Sequence, residues 1–396
     1  MNILLTALMV TATVPASRPA MDPEAFAERA WQEAAVQVAN EPDEKRKKEL
    51  AEDEELGKKY SLEAEKEYKL STNAEMLKRV DKIGQDLAAI ANVTPVNVTW
   101  GDKQLNRFTY TFKVIEGEDV NAFSLPGGYI YIFEGLLKYA ESDAEVAGVL
   151  AHEISHAAQR HVVYLRRKTS KFDILTIPLI LATILTGRGE LLQLGSLTTT
   201  ALANGWTVDA EKSADFAAFQ YMNRATYNPT GLLTFMERLA RDERSTAAVD
   251  WGIYRTHPPG RQRAEAVTSY MEAAGVPIRR SLVTTTYRTT VEPGEGDVVQ
   301  LKFGKKPLVA FAGDAALDRA DDAVEKLNAF FDENPQLFEV AIGTDGTVIG
   351  RRRPLFQVTP EDAEHAKVPF DEFRKSTLKS IKEAMYGLAF KTWNRQ

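Results

Sequence analysis

A chain of 396 residues with 44% hydrophobic and 27% charged side chains is long enough for two ordinary domains and too apolar to remain disordered. Lys and Arg total 49 against 56 for Asp and Glu, a formal net charge of -7, which leaves no electrostatic footprint for nucleic acid as the main partner. Cysteine is absent, which excludes a disulfide framework, a Cys-based zinc site and a lipobox, so any zinc must be held by His and carboxylate.

Residues 1–20 hold the apolar run from Ile3 to Val10 followed by Val14-Pro15-Ala16, a pattern that resembles a secretory signal with cleavage expected after Ala16 or Ala20. That reading places the mature chain in the periplasm or outside the cell. Residues 21–52 are charged and helix-favouring, and a second amphipathic helix is expected from Met76 to Ile90. The period then changes to two. Val96 to Trp100, Phe108 to Val114 and Tyr129 to Phe133 read as strands of a small sheet, and Asn121 to Gly128 reads as a turn around Pro126-Gly127-Gly128.

One long helix is expected from Asp143 to about Leu165, with Ser142-Asp143-Ala144-Glu145 as its capping box. It contains His152-Glu153-Ile154-Ser155-His156. At 100° per residue the two His lie within about 40° on one helical face, one turn apart, so both imidazoles reach one metal ion and Glu153 flanks it. Glu145, on nearly the same face, is read as a capping group, with support of a metal ligand as the alternative. Uninterrupted helix would turn His161 about 140° from His156, onto the solvated face.

Beyond this helix come Arg166-Arg167-Lys168 and two apolar runs, Ile174 to Leu185 and Leu191 to Leu202. They are too short to span a bilayer. They read as a helical hairpin packed on the domain, with peripheral membrane contact through 166–185 as the alternative. Helices follow from Val208 to Ala225, after Asn228-Pro229, and from Gly260 to Ala274. Beyond Pro277 the character changes again, with a domain boundary expected near residue 290. Leu282 to Arg288, Val298 to Phe303 and Leu308 to Phe311 read as strands, Ala315 to Phe331 as a helix, Phe338 to Ile349 as a hairpin and Phe370 to Phe390 as a last helix.

A catalytic zinc site needs three protein ligands and one open position, and the HExxH helix supplies two. Glu211, on a later helix, is the best candidate for the third. Asp215 shares its face one turn on, where a carboxylate can accept the free N–H of a metal-bound His.

The HEISH sequence, Glu211 to Asp215, Asn121-Ala122-Phe123 with Pro126-Gly127-Gly128, Glu55-Leu56-Gly57, and Thr256-His257-Pro258 with Arg263 together resemble the HtpX-, BepA- and LoiP-like gluzincin zinc metallopeptidases, the HExxH family that includes the CAAX prenyl proteases. The resemblance covers residues 53 to 275. It implies one zinc ion per chain on His152, His156 and Glu211, Glu153 as general base and acid, and Asp215 as outer carboxylate. His257 matches a family histidine near the metal that stabilises the transition state or, in some relatives, closes the open position. The strand after Pro126-Gly127-Gly128 reads as an edge on which an extended peptide pairs, making Asn121, Gly127, Gly128 and Tyr129 substrate-binding candidates.

The expected architecture is α+β: a mainly helical zincin-type metallopeptidase domain with a small β-sheet over 53–276, and a smaller C-terminal α/β accessory domain over 290–396. The expected function is zinc-dependent endopeptidase action on unfolded or misassembled envelope proteins. Its rival is a chaperone or holdase whose zinc site is closed by His257. A membrane-embedded prenyl-protein protease would need several long apolar spans, which the sequence lacks. Oligomeric state, cleavage preference and the role of residues 290–396 carry no residue-level signal.

Overall fold

Tyr129-Ile130-Tyr131-Ile132-Phe133 alternates its side chains between two environments, and the fold fills both. In the computed structural model, which describes residues 44–168, 198–245, 260–294 and 296–388, these residues form the middle strand of a three-stranded sheet. Thr111–Ile115 (β1) runs parallel to it on one side, Ala122–Leu125 (β2) antiparallel on the other, and Tyr129–Phe133 is β3. Ile130 and Ile132 enter the larger hydrophobic core, while Tyr131 and Phe133 enter a second cluster across the sheet.

Two helices precede the sheet. Glu44–Glu67 (α1) sends Tyr60 and Ala64 into the cluster of Tyr131, and Ala74–Ala91 (α2) sends Val80, Ile83 and Leu87 into the larger core. Asn73 caps α2 by accepting from the backbone N–H of Glu75 and Met76. After Glu134–Tyr139 (α3) comes Asp143–Ala158 (α4), the helix of the HEISH sequence. Every side chain from Glu145 to Ala158 is buried, because α2, α6 (Thr198–Met222), α7 (Thr230–Ser245) and β2 all pack on it. A helix enclosed on all sides needs apolar groups all round, which is why α4 shows no single greasy stripe. His161–Lys168 (α5) follows α4, and Gly260–Ala273 (α8) packs on α6 and α7.

The remaining chain builds a separate hydrophobic cluster. Thr289–Pro293 (β4), Val299–Phe303 (β5) and Lys306–Phe311 (β6) form one antiparallel sheet; Val340–Ile342 (β7), Thr347–Gly350 (β8) and Arg353–Gln357 (β9) form another. Ala316–Asp332 and Phe370–Leu388 close over them, burying Leu327, Phe330, Phe331 and Ile381. Of residues 1–47 only the first turn of α1 is described, and Lys48–Gln396 form one compact unit. Within it the short helix Arg280–Val283 and the following turn join the two clusters. Arg280 pairs twice with Glu237, at 2.8 and 2.7 Å, and Glu141 accepts hydrogen bonds from Thr284, Thr285 and Thr286.

Mostly helix with small sheets agrees with the α+β expectation. Several elements differ from the sequence reading. The long helix stops at Ala158, because Arg160 has a left-handed backbone (φ 52°). Val96 to Trp100 is irregular, Leu282 to Arg288 is the end of a helix and a turn, and Asn121 to Gly128 contains strand β2. The signal-like residues 1–20, the run Ile174 to Leu185, residues 191–197 of the second apolar run and Thr256-His257-Pro258 lie outside the described residues, while Thr198 to Leu202 of that second run begin α6. Of the basic and apolar stretch 166–185 only the end of α5 is described. No described helix is long and apolar enough to cross a membrane.

Candidate metal centre and active site

Helical spacing puts His152 and His156 one turn apart on α4, and α6 lies alongside to supply a carboxylate. The result is one convergent set. Donor atoms of His152, His156 and Glu211 all lie within 4.8 Å of one another. His152 Nε2 and His156 Nε2 are 3.1 Å apart, and each is 3.2 Å from a different oxygen of Glu211. All three side chains are buried.

The outer nitrogens are also engaged. His152 Nδ1 lies 2.9 Å from Asp215 Oδ1, the carboxylate one helical turn beyond Glu211. Arg263 on α8 grips Asp215 with Nε to Oδ2 at 2.8 Å and Nη2 to Oδ1 at 2.7 Å, and its Nη1 reaches Glu211 Oε2 at 3.1 Å. Asp215 is thereby fixed from two sides. Burial would push its carboxyl up, but Arg263 and His152 hold it below the ordinary range. Burial and Arg263 push His152 down, and the carboxylates Glu211 and Asp215 outweigh them and raise it. His156 falls below its usual value because burial outweighs Glu211.

This donor chemistry fits a divalent cation of the zinc type: two imidazole nitrogens and one carboxylate, each ring held in orientation by a hydrogen bond at its other nitrogen. Glu153, beside His152 on α4, is buried, and its charge is felt by both His156 and Arg263. Glu145 is a structural group. It accepts from the Glu141 backbone N–H at 2.8 Å and pairs with Arg238 of α7, while Ser142 Oγ caps the helix from the Glu145 N–H.

The substrate-binding candidates sit differently from expectation. Tyr129 opens β3, which is the middle strand and therefore no edge; the strand outside it, next to α4, is β2, beginning just after Asn121. The continuous apolar run of β3 fits a strand covered on both faces, as a middle strand is, and the turn residues after β2 mask that strand in the sequence. Gly127 (φ 73°) has a packing reason to be glycine, since a Cβ there would lie 2.5 Å from the Glu54 Cα. Gly57 answers from α1: its Cβ would lie 1.8 Å from the Pro126 carbonyl oxygen.

The largest correction concerns His161. Far from facing solvent, it is fully buried, with Nδ1 2.8 Å from His156 Nδ1. The helical arithmetic fails because the chain leaves the helix at Arg160 before reaching it. His257 lies outside the described residues.

Residues 79–271 match peptidase family M48. The chain is 27% identical over 204 residues to metalloprotease LoiP of Escherichia coli (strain K12), an alignment covering 52% of this chain and 74% of that protein. It is 28% identical over 157 residues to the beta-barrel assembly-enhancing protease of the same organism, covering 38% of this chain and 30% of that one. With the mitochondrial metalloendopeptidase OMA1 of Arabidopsis thaliana it shares 32% identity over 173 residues, 43% of this chain and 34% of the relative. The chain therefore spans most of the first relative and about a third of the other two.

Proposed function

We propose that this chain, whose residues 79–271 match peptidase family M48, is a zinc-dependent endopeptidase of the gluzincin type. One observation carries the reading: the convergence of His152, His156 and Glu211 donor atoms within 4.8 Å, with Asp215 behind His152.

His152 Nε2, His156 Nε2 and the Glu211 carboxylate hold the ion. When bound, zinc supplies a Lewis acid that acidifies water to a pKa of about 7 and polarises a peptide carbonyl. Glu153 takes a proton from the attacking water on its carboxylate and gives it to the departing amine nitrogen. Asp215, clamped by Arg263, holds the His152 ring with Nδ1 turned away from the ion. Strand β2, the sheet edge next to α4, offers an outer backbone edge to an extended peptide, a mode of recognition that tolerates many sequences. Unfolded or misassembled envelope proteins are the substrate class we assign, supported by the name of the beta-barrel assembly-enhancing relative. An exported location belongs to the same proposal.

Metal content and casein cleavage of the full chain test this reading together. Wild type is expected to retain one zinc per chain and cleave casein. Glu153→Gln is expected to retain the metal and lose about 10²–10⁴-fold in rate. Glu211→Ala is expected to lose the metal. Zinc retained unchanged by Glu211→Ala would remove the third ligand, and a wild type that binds zinc without any turnover would favour a holdase.

A further inference from the structure

The two ligand imidazoles are supported unequally. His152 leans on a carboxylate, whereas the outer nitrogen of His156 meets a second imidazole, His161 Nδ1, at 2.8 Å. We propose that His161 is a positioning residue for the metal centre: a neutral imidazole whose bare Nδ1 accepts the Nδ1–H of His156 and so fixes the ring that presents Nε2 to the ion. The proposal rests on the zinc reading above. It concerns how one ligand is held, which that reading leaves unassigned.

The chemistry of a hydrogen bond between two Nδ1 atoms is restrictive. One must carry the proton and the other must not. Nε2 of His156, which converges with His152 and Glu211, must be bare to serve as a metal ligand; its proton then sits on Nδ1, and His161 is the acceptor with its own proton on Nε2.

The chain builds a socket for this ring from three directions. Helix α4 ends at Ala158, whose carbonyl accepts from Asn106 Nδ2 at 2.7 Å, and Arg160 then takes a left-handed backbone that most side chains avoid. That turn carries His161 back under His156. It is held by buried Arg160, which pairs with Asp53 of α1 and reaches Asp102 Oδ2 at 3.3 Å. The Asp102 backbone N–H donates to the Gln159 carbonyl at 2.8 Å. Above the ring, Trp100 stacks edge-on with centroids 4.9 Å apart. Next to it Gly101 has φ 108°, and a Cβ there would lie 2.8 Å from His161 Nε2 and Cδ2. The same loop is tied to the third ligand's helix, since the Trp100 N–H donates to Ser213 Oγ at 3.0 Å. A histidine merely filling space would need neither the strained turn nor the missing Cβ.

Two substitutions separate positioning from packing. In His161→Asn the amide oxygen stands where Nδ1 stood and keeps an acceptor; in His161→Phe the ring remains and the acceptor is gone. Zinc affinity of the full chain, measured by competition with a chelator, is the readout. His161→Phe is expected to bind zinc about 10–100-fold more weakly, the usual loss for an outer partner of a metal-bound His, with His161→Asn close to wild type. The reverse order, or equal affinities in all three, would overturn the proposal. Should either variant fail to fold, the nitrogen spectra of zinc-loaded wild type decide, because the proposal requires a proton on His156 Nδ1 and none on His161 Nδ1. Glu211→Ala run in parallel keeps the two readings apart: loss of zinc there with no loss in His161→Phe sinks the positioning role alone, while a wild type that takes up no zinc sinks both.

Discussion

The helical half of the molecule gathers many buried polar groups and its C-terminal half few. Around α4 the protein buries Glu145, His152, Glu153, His156, Arg160, His161, Glu211 and Asp215, most of them sharing partners in one network. Beyond Thr289 the described residues bury two polar side chains, Asp362 and Thr377: Asp362 accepts from the N–H groups of Ala312 and Thr359 and pairs with Arg319 at 2.6 Å, and Thr377 donates to the Phe373 carbonyl. Buried ionisable groups cost stability unless paired, so a cluster of them marks where chemistry is done. The C-terminal cluster, built on Leu327, Phe330, Phe331 and Ile381, carries stability and no candidate chemistry among the described residues.

The sharpest way to break this contrast is at the junction. Arg280 and Glu237 are both buried and paired through two hydrogen bonds across the join. Glu237→Ala leaves an uncompensated guanidinium and is expected to cost about 3–5 kcal/mol in denaturant unfolding. Replacing both residues with Met is expected to recover most of that. A loss below about 1 kcal/mol for the single variant would show the junction to be solvated and the two clusters to be independent.

A smaller effect sharpens the comparison from the other side. Leu327 is fully buried in the C-terminal cluster, and Leu327→Ala is expected to lose about 2–5 kcal/mol while zinc retained per folded chain stays unchanged. A fall in zinc affinity without unfolding would mean that the C-terminal core helps hold the metal centre.

What the sequence showed of the site was what local spacing can show. His152 and His156 one turn apart, Asp215 one turn from Glu211, and Ser142 before an apolar run all follow from helical geometry and appear in the structure. His161 was misread because its position depends on Arg160, whose backbone is held by Asp53 and Asp102, about a hundred and about sixty residues earlier in the sequence. No local rule contains such partners. Strand β2 was hidden by the Pro-Gly-Gly after it, and β9 by Pro354 within it, although a proline is tolerated near a strand end at a sheet edge. Arg263 stood in the sequence as one more motif residue, and only the approach of α8 to α6 reveals it as the clamp on Asp215.

The smallest predicted effect lies at Glu141, which precedes the cap of α4 and so couples the two halves at the start of the metal-binding helix. Burial alone would raise its carboxyl, but hydrogen bonds from Thr284 and from the side chain and backbone of Thr286, with Arg238 at 3.2 Å, outweigh burial and lower it from 4.5 to about 2. A carboxyl whose folded pKa is depressed contributes its full stability above the unfolded value. That contribution shrinks as pH falls below about 4.5 and is gone once pH passes about 2. Glu141→Gln removes the charge but keeps an acceptor oxygen, so the variant is expected to be modestly less stable than wild type at neutral pH. The gap between their urea midpoints should close as the pH approaches 2, even though other carboxylates titrate in both proteins. A gap that stays constant through that window would mean Glu141 is not charged in the folded protein, and the Thr284 to Thr286 turn would then be holding a neutral group rather than anchoring one half of the molecule to the other.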